Sequence, residues 1–94
     1  MYSYEHVLPI GSVVLLKNAE KRLMIIGYQR KRSLDATEIM DYCGCTYPEG
    51  FIKADQTAIF NHDQIDRIIA IGLQNAQQIE ISEKLKKIIS EREQ

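Results

Sequence analysis

The chain has 94 residues and a mass of 10.8 kDa, enough for one domain and too little for two. Twelve Lys and Arg against thirteen Asp and Glu leave a net charge of −1, which argues against broad electrostatic capture of nucleic acid or an anionic membrane. The 45% apolar and 27% charged fractions are those of an ordinary folded domain, and no apolar run approaches the roughly 20 residues of a spanning helix. The opening residues Met1-Tyr-Ser-Tyr-Glu-His6 carry neither a basic region nor a long apolar stretch, so no secretory signal is expected and the expected location is cytoplasmic.

Residues 1–8 lack periodicity and read as a tether. Pro9 and Gly11 bracket Ile10 in a turn that leads to the apolar run Val13–Leu16, where adjacent valines favour a strand. Asn18–Lys21 has hairpin length, and Leu23–Tyr28 reads as the second strand, with Gly27 marking a bulge or close backbone approach. Arg30, Lys31 and Arg32 then lead into a loop. Ile39–Cys45 fits a third strand, with Met40, Tyr42 and Gly44 on one face and Ile39, Asp41, Cys43 and Cys45 on the other. Tyr47-Pro-Glu-Gly50 closes it with turn chemistry.

Ala58–Phe60 is a short extended piece, after which Asn61 and Gln64 have capping-box spacing and predict a short helical turn near 61–65. Arg67–Ile71 returns to strand character and stops at Gly72. In the last segment Ile81, Leu85 and Ile88 recur at helical spacing, widened by Ile89, and Glu80–Lys84 and Glu83–Lys87 have i,i+4 spacing. A helix over 75–91 follows. The expected fold is α+β, a single domain: a small antiparallel sheet or partly closed barrel of four to five short strands over 9–73, then the C-terminal helix.

Several residues invite chemistry, and each has a plainer explanation. Cys43 and Cys45 form one close pair, whereas a structural zinc site needs about four ligands; His6 and His62 are not spaced to complete it, so no metal or redox cofactor is expected. His62 beside Asp63 suggests a general base, but Asn61-His-Asp is also how a helical turn opens. No nucleophile comes with an activating motif, and the scattered glycines form no phosphate-cradling loop, so no catalytic residue is expected. Arg30–Arg32, helped by Lys17, Lys21 and Arg22, suggests a basic hairpin end, the alternative being a small nucleic-acid-binding barrel with Tyr28 as a stacking platform. Phe51 and Phe60 are expected to fill the core, and the acid excess from Glu49 onward opposes nucleic acid as a partner.

Strings between Leu8 and Gly72 together carry a resemblance that covers about Leu8 to Leu85. They are Leu8-Pro-Ile-Gly-Ser-Val-Val-Leu-Leu16, Leu23-Met-Ile-Ile-Gly27, Asp41-Tyr-Cys-Gly-Cys-Thr-Tyr-Pro-Glu-Gly50, Phe60-Asn-His-Asp-Gln-Ile-Asp66 and Ile71-Gly72. In order and spacing they resemble the small EsaE-like proteins of Firmicutes, a family carried as a domain of unknown function. The resemblance implies a non-enzymatic cytoplasmic chaperone of type VII secretion. Such a protein binds the secretion-directing N-terminal region of a toxin and helps deliver it to the export ATPase. The chain is not itself expected to be cargo: it has no Trp for a Trp-x-Gly turn and no Tyr-x-x-x-Asp/Glu tail. The expected protein-binding residues are Tyr47, Pro48, Glu49 and Phe51 on the turn, with Leu85 and Ile88 on the helix; aromatic side chains on rigid loops are favoured at binding hot spots.

Overall fold

A computed structural model describes residues 7–31, 37–53 and 57–92. Five strands and a helix follow in chain order: β1 Val13–Leu16, β2 Leu23–Lys31, β3 Ile39–Thr46, β4 Thr57–Phe60, β5 Ile65–Ala70 and α1 Ala76–Arg92. A 3-10 turn, His62–Gln64, separates β4 from β5. All pairings are antiparallel, and the sheet order is β4-β3-β2-β1-β5. The fold is thus α+β, an open five-stranded sheet followed by one helix.

The short link between β4 and β5 shapes this sheet. Phe60 pairs with Tyr42 at one edge, while Ile65 pairs with Leu16 at the other. Four strand spacings of about 4.8 Å would put those edges roughly 19 Å apart in a flat sheet. Five extended residue steps reach at most about 18 Å, and the 3-10 turn shortens that. The sheet therefore curls until its edges approach at this end, although β4 and β5 share no ladder. A register shift between Ile25 and Gly27 supplies local twist in β2.

The turn of the capping box forms as its spacing predicts. Asn61 N–H donates to Gln64 Oε1 at 2.7 Å, and the Asn61 carboxamide oxygen accepts from Asp41 N–H of β3 at 3.0 Å. One sequence motif thereby caps the turn and pins it to the neighbouring strand.

Val14, Leu23, Ile25, Tyr42, Phe60 and Ile65 fill the concave face. Phe60 stacks on Tyr42 with ring centroids 5.5 Å apart. β3 is buried on both faces from Met40 to Cys45, so Cys43 and Cys45 are fully buried free thiols. Two expectations are corrected here. Val7 and Leu8, read as the end of a tether, are core residues, held by side chains where a strand ladder would otherwise hold them. Phe51, expected in the core with Phe60, lies on the surface.

Helix α1 docks in cis. Leu85 joins the core and Ile89 packs against it, while Ser82 Oγ donates to Val7 O at 3.2 Å. Asn75 Oδ1 caps the helix by accepting from Gln78 N–H at 2.9 Å, and Lys84 pairs with Glu80 at 3.3 Å. The inward face is thus Ser82–Leu85–Ile89. Ile81 and Ile88, expected on the same stripe as Leu85, face outward.

Candidate functional site

The turn after β3 is built as a rigid projection. Its Tyr47–Pro48 peptide is cis, and Gly50 has φ +83, a left-handed conformation that side chains disfavour. Gly50 N–H donates to Thr46 O at 2.8 Å, and Tyr47 N–H donates to Arg22 O at 2.9 Å. Lys21 Nζ lies 2.7 Å from Glu49 Oε2, and this hydrogen bond holds the Glu49 carboxyl below its ordinary value. The turn is therefore fastened to the β1–β2 hairpin by a backbone bond and an ion pair. On this frame Tyr47 is 43% exposed, Phe51 59% and Ile52 62%. Pro48 and Glu49 are also exposed.

Of the residues expected to bind a partner, the structure brings Tyr47, Pro48, Glu49 and Phe51 together at this end. Leu85 is corrected: at 7% exposure it is part of the core, because Val7 and Leu8 lie beneath it. Ile88 is 47% exposed and sits on α1, apart from the turn. Ile52 belongs with the turn and was missed, although it stands next to Phe51 just after a turn glycine.

A second apolar surface also escaped the sequence. Ile10, Tyr28, Leu73, Asn75, Gln78 and Ile81 border an open groove of about 420 Å³ between the N-terminal turn and the start of α1. Ile10 reads as part of a turn, Tyr28 as part of a strand and Ile81 as part of the inward stripe, so nothing in the sequence draws them together with Leu73.

The basic patch expected at one hairpin end does not assemble. Lys17, Lys21 and Arg22 lie at the start of β2, whereas Arg30 and Lys31 lie at its other end, separated by about 23 Å of strand. Arg32 lies outside the described residues. Tyr28 is half-buried, and its hydroxyl donates to Leu8 O at 2.5 Å. Burial pushes that phenol upward, partly offset by the backbone of Ile10.

His62 does not pair with Asp63 as a base with its orienting acid. Its Nδ1 lies 2.6 Å from the Tyr42 hydroxyl, and its N–H donates to Asp41 Oδ2 at 2.9 Å. Tyr42 also accepts from Leu8 N–H at 3.1 Å. This buried network ties the N-terminal segment, β3 and the 3-10 turn together. Replacing Tyr42 with Phe strips Leu8 N–H and His62 Nδ1 of a partner. It should cost about 1–3 kcal/mol, measurable as a lower urea midpoint at unchanged slope. A midpoint within error of the parent would show that the hydroxyl is dispensable. Among the described residues, no group of three His, Cys, Asp or Glu gathers as a metal site would, and no helix is long and apolar enough to cross a membrane.

No curated protein and no solved structure matches the chain. The family model described as Domain of unknown function (DUF4176) matches residues 7–81. That span begins at Val7, the first core residue, and takes in all five strands and the first turn of α1. The chain belongs to the DUF4176 family.

Proposed function

We propose that the protein is a non-enzymatic, cytoplasmic chaperone or adaptor. It binds a toxin substrate of the type VII secretion system through the toxin's N-terminal region and brings it to the export ATPase. The resemblance to EsaE-like proteins supplies the system. The observation that carries a binding role is the anchored turn, where Tyr47, Phe51 and Ile52 stand exposed within six residues. Large apolar side chains beside an anchored turn are costly to leave in water and favourable to cover.

The test is size-exclusion chromatography with light scattering, on the protein alone and mixed with the N-terminal region of a toxin encoded beside it. A stable complex of defined stoichiometry is expected. The double substitution Phe51→Ser with Ile52→Ser should weaken it at least about tenfold, with the melting temperature unchanged because neither side chain is packed. Two unassociated species for the parent protein would sink the reading.

A further inference from the structure

The end of the sheet that carries the turn also carries charge. The hairpin and the turn form one surface, since Tyr47 N–H is bonded to Arg22 O and Lys21 to Glu49. Among the described residues of the hairpin and the turn, Lys17, Lys21, Arg22 and Lys53 stand against Glu20 and Glu49, four bases to two acids, on a chain of net −1. Glu49 engages Lys21. Arg22 and Lys53 are exposed and have no ion pair among the described residues. Lys17 N–H also reaches Gln64 O at 2.9 Å, which brings the exposed Asp63 to the same end as a third acid beside the four bases.

We propose that this end selects an acidic partner segment. Apolar side chains of the segment seat against Phe51 and Ile52, while its carboxylates face Arg22 and Lys53. The inference rests on the protein-binding reading of the turn and adds the charge of what binds. Affinity comes from desolvating the apolar anchors, and the cations give selectivity and a faster encounter. A nucleic-acid strand fits less well. Its evenly spaced phosphates would meet the Glu49 carboxylate, and one of the four cations is already engaged there.

Two synthetic amphipathic peptides with one apolar pattern, Glu-rich in one and Lys-rich in the other, are titrated into the nitrogen-15-labelled chain. Oligothymidylate is titrated in parallel. The Glu-rich peptide should shift the amides of residues 20–22 and 46–53, and the Lys-rich peptide should not. Arg22→Glu with Lys53→Glu should weaken the Glu-rich peptide roughly tenfold without changing the melting temperature.

Equal shifts from both peptides overturn the charge selectivity and leave apolar docking standing. Shifts elsewhere, or none, overturn the proposal and remove the turn as the docking surface. Stronger shifts from oligothymidylate at these amides overturn it in favour of nucleic acid. A toxin complex indifferent to the double reversal also overturns it, while the chaperone reading survives.

Discussion

Gly72→Ala should be among the most damaging single substitutions in this protein. An added Cβ would lie 2.1 Å from Ile10 O and 3.1 Å from Ser12 N. Both neighbours are backbone, so no side chain can rotate away. The turn at residues 10–12 and the segment after β5 would have to part. That would break the bond from Gly72 N–H to Ser12 Oγ, now 3.0 Å, and pull on Gly11 N–H, bonded to Ile25 O at 2.8 Å. A cost of about 3 kcal/mol is expected, at the upper end for overpacking. In a domain of this size it lowers the melting temperature by roughly 12–24 °C. Gly50→Ala is the contrast: an added Cβ there meets no atom within 4 Å, so only the left-handed backbone penalty of about 1–2 kcal/mol applies. Equal melting temperatures for the two variants would show that the 10–12 turn is not seated on Gly72.

The second large effect separates the two sides of α1. Leu85→Ala should cost about 2–5 kcal/mol, since it empties a site beneath which Val7 and Leu8 are packed. Ile88→Ala, one turn on and facing outward, should stay within about 0.5 kcal/mol. Denaturant unfolding of both variants measures the difference. Equal losses would mean that the helix is rotated relative to the face described; equal, negligible losses would mean that α1 does not dock on the sheet.

The rotation of α1 shows what the sequence could and could not disclose. The helix was legible because Ile81, Leu85 and Ile88 recur at the right period, and its span, Ala76–Arg92, is within a residue of the 75–91 expected. Its inward face was not, because Ser82 is small and polar and reads as surface until its hydroxyl finds Val7 O. The same partner explains the misread N-terminus. Val7 and Leu8 belong to no periodic element and hold their place through Tyr28, Tyr42 and Ser82, all distant in sequence. The strands, whose chemistry is local, were placed in the right order with ends within three residues, β2 running three residues past Tyr28 and β5 starting two before Arg67, and the capping box was read directly.

At the candidate site the division is alike. The Tyr47–Gly50 turn announced itself through Pro48 and Gly50. That Phe51 stays outside while Phe60 goes in depends on the β3–β4 register, which places Phe60 opposite Tyr42. The separation of the two basic clusters likewise depends on β2 running on to Lys31.

The return of β5 to β1 has a consequence for how the chain is made. Val14 pairs with Ile68, 54 positions later in the sequence. At translation rates of about 5–20 residues per second, β1 leaves synthesis roughly 3–11 s ahead of its outer neighbour. Through that interval Val13–Leu16 presents an apolar strand with one edge open, the kind of segment that recruits unwanted strands from other chains. For a protein proposed to guard a client in transit, the first segment to need guarding is its own.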